Sequence, residues 1–299
     1  MTDKAIIKKL ANKCLEHNKI SPEFYRSYNV KRGLRNEDGS GVLVGLTEIS
    51  AVIGFEKRDE DICPVEGQLE YRGVNIRDII AGLQKENRFG FEEVAYLLLF
   101  GELPTRTELK EFLKYFANER HLPGNFVRDI ILTFRTQDVM NSLARSVLAL
   151  YGVDPDPDST VITNLVKQAI SLIAKFPVIT AYAYRARQHK FMGESLFIHQ
   201  PQNQLSSAEN FLHMLRPDGK FTQLEAQVLD AMLILHADHG GGNNSTFTTR
   251  VVSSSGTDTY SAIAAAIGSL KGPLHGGANK SVMTMMSYVK ENVRPWNNK

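Results

Sequence analysis

From residue 74 almost to its end, the chain spaces its apolar side chains three and four positions apart, and such a pattern is buried by packing helix against helix. Asn75 precedes an apolar set at Ile76, Ile79, Ile80 and Leu83, and Phe91 to Phe100 is a second run, ended by Gly101 and Pro104. Val161 to Phe176 reads as a helix with Leu165, Ile170 and Ile173 inward, after an Asp/Pro loop at 153–159. Leu224, Val228, Ala231, Met232 and Leu235 share one face of a helix ending near His236, which is expected to be buried. Asp258 to Leu270 is rich in small residues (Ala262, Ala264, Ala265, Ala266, Gly268) that let a second helix approach closely, and Gly272 and Pro273 stop it. A last helix is predicted over Asn279 to Val289, with Val282, Met285, Met286 and Val289 along it.

Three helix starts carry a hydroxyl residue followed three positions later by Glu: Thr105 with Glu108, Ser206 with Glu209, and Thr222 with Glu225. In each, the hydroxyl accepts from a free backbone N–H and the carboxylate returns to the N–H of the cap itself. Upstream, Ile6, Ile7, Leu10 and Cys14 mark an amphipathic helix within the first 35 residues, followed by a basic, polar stretch. Between Gly41 and Gly73, Val42, Val44, Ile49, Val52 and Ile53 suggest short strands and turns, and Pro64 and Gly67 punctuate a short extended piece at Gln68 to Tyr71. That is too little strand for a sheet-based domain. The expected fold class is all-α, with a small β element near the N-terminus. A chain of 299 residues, 42% hydrophobic, can bury one large core or one core plus a smaller appendage.

Charge excludes some functions. The net charge is +2 and the 35 Lys and Arg are scattered, so the basic stripe that nucleic acid requires is missing. Two cysteines far apart, Cys14 and Cys63, argue against a disulfide framework or a zinc cluster. The opening M-T-D-K-A-I-I-K-K-L has no long apolar core, and no stretch is expected to reach the roughly 18 to 20 apolar residues of a membrane span. A soluble cytoplasmic protein is expected.

Two polar clusters break the helical pattern. In the first, Leu235 to Thr246, a buried helix runs into His236, Asp238 and His239, then Gly240, Gly241 and Gly242, then Asn243, Asn244, Ser245 and Thr246. So many polar groups beside an apolar helix are costly to bury unless each finds a partner, and a compact polar ligand would serve. Helix capping by the histidines and metal binding by His236, Asp238 and His239 are the alternatives. The second cluster sets His275 between Pro273 and the pair Gly276 and Gly277, which leave space around the ring, just before a helix N-terminus. That position disfavours positive charge, so a neutral imidazole there can donate a hydrogen bond to a developing oxyanion or enol.

These clusters resemble the signature of citrate synthases: H-A-D-H-G-G-G-N-N-S-T-F-T-T-R-V-V-S-S-S, then D-T-Y-S-A-I-A-A-A-I-G-S-L-K-G-P-L-H-G-G-A-N. Gly67 to Ile76, Phe91 to Thr105, Ala181 to Arg185 and Ser206 to Leu215 are similar to the family's upstream segments, in order. The resemblance implies a multi-helical homodimer of large and small domains that condenses acetyl-CoA with oxaloacetate to citrate and CoA, as in the tricarboxylic acid cycle, without metal or prosthetic group. It implies that His275 hydrogen-bonds the acetyl carbonyl as the methyl carbon loses a proton. His239 and Asn243 would bind oxaloacetate, and Ser245 would orient the His275 ring. The organisation expected is an N-terminal helical and extended segment at 1–40, a helical large domain at 41–271 with its strands at 41–73, and a catalytic loop and first small-domain helix at 272–299.

This chain departs from the pattern in two places. It has Gly240 where the family has Glu, and the run to Asn243 is one residue longer than the common form. No G-x-G-H segment follows His275, and Glu291 is the one acidic residue after it, so the 299 residues by themselves are expected to lack the remaining catalytic groups and to be inactive. A 2-methylcitrate synthase using propionyl-CoA, a non-catalytic helical dimerisation module and a metallohydrolase are the competing readings.

Overall fold

The structure, a computed structural model, describes residues 3–28, 46–58 and 61–293. Val42, Val44 and the expected boundary at residue 40 lie outside the described residues. In order, the elements are α1 (Asp3–His17), α2 (Pro22–Ser27), β1 (Ser50–Arg58), β2 (Asp61–Tyr71), β3 (Val74–Asn75), α3 (Ile76–Glu86), α4 (Phe91–Phe100) and α5 (Arg106–Glu119). They continue with α6 (Val139–Leu150), α7 (Ile162–Met192), α8 (Ser207–Leu215), α9 (Gln223–Leu235), α10 (Asn244–Ser253), α11 (Thr259–Leu270) and α12 (Ala278–Asn292). The fold is all-α with one small antiparallel sheet, ordered β1-β2-β3.

The helix boundaries follow local chemistry. Asn75 caps α3 through its side chain, and Gly101 ends α4 in the left-handed region at φ 85°. All three capping boxes form, at the starts of α5, α8 and α9. β2 is longer than its predicted piece because it runs through Pro64 and Gly67. Pro64 pairs with Phe55 beside a register shift, where a strand tolerates a residue with no N–H to donate.

α7 organises the molecule. Val166, Ile170 and Ala174 face a core with Leu10 and Ala11 of α1 and an aromatic group, Tyr96, Phe100, Phe112 and Phe116. Val178, Tyr182 and Ala186 face a second core with α6, Met214 and Ile267. The predicted helix ended at Phe176, but α7 continues through Pro177 for 31 residues. Proline leaves one carbonyl without its helical donor, a local loss outweighed by packing against α1, α5, α6, α8 and α11. α7 also has the length and apolarity of a membrane span, against expectation, yet it lies in the core and buries Lys175 and Arg185.

α9 corrects a prediction. Its buried residues are Ala226, Asp230 and Ile234, while Leu224 (69% exposed), Val228, Met232 and Leu235 face outward. The inward face is chosen by Asp230, whose carboxylate accepts from the N–H groups of Gly90 (2.7 Å) and Phe91 (3.2 Å) and so caps α4 from 140 residues away. α12 forms as predicted but buries none of its residues.

Candidate active site

α10 and α11 form a helical hairpin. Ten and twelve residues at 1.5 Å each give helices about 15 and 18 Å long, so the start of α10 returns beside the end of α11. Asn244 Nδ2 donates to Ser269 Oγ at 2.9 Å, and one residue on, Ser245 Oγ lies 2.9 Å from His275 Nε2. The two polar clusters of the sequence therefore meet at a single point, although Ser245 and His275 are 30 positions apart.

The loop bearing His275 is a tight turn. Gly272 O accepts from the N–H groups of His275 and Gly277, both at 3.0 Å, and Ala278 N–H donates to His275 O at 3.2 Å as α12 begins. A Cβ on Gly276 would stand 2.6 Å from Leu270 O, and one on Gly277 2.7 Å from Gly272 O. The glycine pair therefore serves the turn itself, where the sequence suggested space for the ring. His275 is half-buried.

The loop between α9 and α10 is held largely by its own side chains. His236 caps α9, its Nδ1 donating to Met232 O at 2.8 Å. Asp238 Oδ1 accepts from the N–H groups of His239 (2.7 Å) and Gly240 (3.1 Å). Among the described residues no three His, Cys, Asp or Glu side chains converge. Gly240 takes φ 94°, a conformation that suits glycine. His239 is exposed, and its ring bonds to none of the described residues. Asn243 caps α10: its Oδ1 accepts from Thr246 N–H, and its Nδ2 donates to Gly240 O and Thr246 Oγ1. Its amide hydrogens are thus committed within the loop. No hydrogen bond joins His239 or Asn243 to His275; of the expected residues only Ser245 is hydrogen-bonded to it.

Two further residues brace this loop, and sequence reasoning assigned neither a role. The hydroxyl of Tyr71, at the end of β2, meets Ile234 O at 2.7 Å and Asp238 N at 3.3 Å. Burial pushes that hydroxyl's pKa up, so it stays protonated. Arg250 Nη2, on α10, donates to Leu46 O at 3.0 Å, clasping the 46–50 segment against Gly241, whose missing Cβ would touch Thr47. The one signal in the sequence was that a buried tyrosine needs a partner for its hydroxyl.

A half-buried imidazole held by a serine, beside a glycine-rich loop and the first turn of a helix, can donate to a carbonyl oxygen that gains negative charge. A family model described as citrate synthase, C-terminal domain, matches residues 38–299. The chain is 36% identical over 257 residues to a citrate synthase of Synechocystis, covering 83% of this chain and 59% of that one. It is 35% identical over 273 residues to 2-methylcitrate synthase 1 of Corynebacterium glutamicum, covering 89% and 64%. The crystal structure of citrate synthase from Pyrobaculum aerophilum matches with a TM-score of 0.70 at 31% identity, over 87% of this chain and 62% of that one. A ternary complex of Thermoplasma acidophilum citrate synthase with carboxymethyl coenzyme A and oxaloacetate matches with a TM-score of 0.64 at 28% identity, over 83% and 58%. The chain spans about three fifths of the length of the curated relatives it matches. On the family match, the relatives and the shared fold together, this chain belongs to the citrate synthase family.

Proposed function

We propose that the chain carries the carbonyl-polarising part of an enzyme that joins acetyl-CoA, oxaloacetate and water into citrate and free CoA. The observation that carries the proposal is the 2.9 Å contact between Ser245 Oγ and His275 Nε2. With the serine hydroxyl donating to Nε2, the ring keeps its proton on Nδ1, and Nδ1–H becomes a neutral donor for the thioester carbonyl. That bond strengthens as the methyl carbon loses its proton and negative charge builds on the carbonyl oxygen, so it favours the transition state over the bound substrate.

Oxaloacetate is assigned to His239 and to the turn that Asn243 shapes. The first N–H groups of α10, at Asn244 and Ser245, have no helical carbonyl to donate to, and a helix N-terminus attracts a carboxylate. The chemistry draws on no metal or prosthetic group, since the CoA thioester is itself the substrate. Propionyl-CoA is the second reading, favoured by the 2-methylcitrate synthase relatives at 34–35% identity. One methylene changes selectivity by only about 1–3 kcal/mol. The working unit is proposed to be a homodimer.

The test is thiol release by the full-length gene product with oxaloacetate and either acetyl-CoA or propionyl-CoA. Oxaloacetate-dependent release is expected, faster with acetyl-CoA, and His275→Ala is expected to lower kcat by about 10² to 10³. Failure of the wild-type protein to release thiol from either thioester when oxaloacetate is present overturns the proposal.

A further inference from the structure

We infer that the Tyr71 hydroxyl is a positioning group for oxaloacetate, fixing the last turn of α9 to the start of the loop that carries His239. The inference rests on the assignment of oxaloacetate to that loop.

Tyr71 is fully buried, at 0% exposure. Its ring is set by a core cluster with Ile76, Leu83, Val94, Leu97 and Ile234, so the hydroxyl has little freedom. That hydroxyl reaches both sides of one junction. It donates to Ile234 O at 2.7 Å, inside α9, and accepts from Asp238 N–H at 3.3 Å, inside the loop. Asp238 in turn holds the amides of His239 and Gly240 through Oδ1. The path from sheet to candidate ligand is therefore three linked groups: Tyr71, Asp238 and His239. The sheet also runs close beside the same loop. Ser50, the cross-strand partner of Tyr71, has its carbonyl oxygen 3.9 Å from where a Cβ on Gly240 would stand. Glycine-rich chain has high conformational freedom, so a loop with three successive glycines needs such bracing to hold a side chain in one place.

Phenylalanine at 71 would keep the ring in its core and remove only the hydroxyl. Tyr71→Phe in the full-length gene product is expected to raise the KM for oxaloacetate about five- to tenfold and leave the KM for the acyl-CoA within about twofold. Amide hydrogen exchange across residues 237–241 is expected to quicken. Thr105→Ala, which removes a helix cap on α5 outside the site, serves as the control for general destabilisation and is expected to change neither KM nor exchange in that loop. The inference is overturned if Tyr71→Phe leaves loop exchange at the wild-type rate. It is equally overturned if the two KM values rise together. Should the wild-type protein show no oxaloacetate-dependent turnover, the substrate assignment fails by itself, and the exchange measurement alone decides whether the hydroxyl braces the loop.

Discussion

Ser245 and His275 test the site most directly. Ser245→Ala leaves the His275 ring in its turn but removes the hydroxyl proposed to select its tautomer. A fall in kcat of about 10- to 100-fold is expected, with little change in KM for the acyl-CoA. Added to His275→Ala, it should cost almost nothing more, because the serine is proposed to act only through the ring. Losses that multiply in the double variant would mean that Ser245 has a separate role. Asp230 offers a test by pH. Burial pushes its carboxyl up to about 6, despite the two N–H groups it caps. The folded state therefore holds that proton more tightly than the unfolded chain. The stability this provides is complete below about pH 4 and lost as pH rises through about 6, a loss of about 3 kcal/mol. Urea unfolding of the wild-type and Asp230→Asn proteins should diverge across that window, with the wild type falling relative to the variant. The Ser245–His275 contact was expected only through the resemblance to citrate synthases, since the two residues lie 30 positions apart. The parts played by Tyr71 and Asp230 were not, since each acts on backbone groups 139 or more positions away and leaves no trace in periodicity.

At the scale of elements, local chemistry was the better guide. The three capping boxes were readable because donor and acceptor lie three residues apart, and each stands in the structure. On α5, the backbone and side chain of Thr105, with Lys9, draw the Glu108 carboxyl down to about 2. The contribution of that box is therefore present above about pH 4.5 and disappears as pH falls through about 2. Thr105→Ala should cost about 1 kcal/mol in thermal or urea unfolding at neutral pH. The orientation of α9 was misread for a physical reason. Its apolar residues nearly encircle it, so periodicity alone cannot say which face turns inward, and the cap that Asp230 provides to α4 decides. The end of α7 was misread because Pro177 stops an isolated helix, whereas one packed on several sides continues.

At the scale of the molecule, apolar side chains stay outward on one helix among the described residues. Leu224, Val228, Met232 and Leu235 stand outward along one helix. Beside them a cavity of about 540 Å³, lined by Leu172, Phe176, Phe211, Leu229, Leu233 and Ile263, opens between α9 and α11 over the middle of α7. Outward apolar side chains and an apolar groove beside them are features of interaction surfaces. The proposed homodimer would use this face, with the ridges of α9 and α11 from each copy set toward the groove of the other. The small residues of α11 were expected to admit a close helix, and within one chain α10 and α6 already take that place. Val228 is half exposed and lies on the outward face, so Val228→Glu places a charge at the proposed contact without entering a core. Sedimentation equilibrium of the full-length gene product should give a dimer for the wild type and a folded monomer for the variant, with helical circular dichroism retained. A wild-type protein that sediments as a monomer, or a variant that remains a dimer with unchanged affinity, would show that this face has another use.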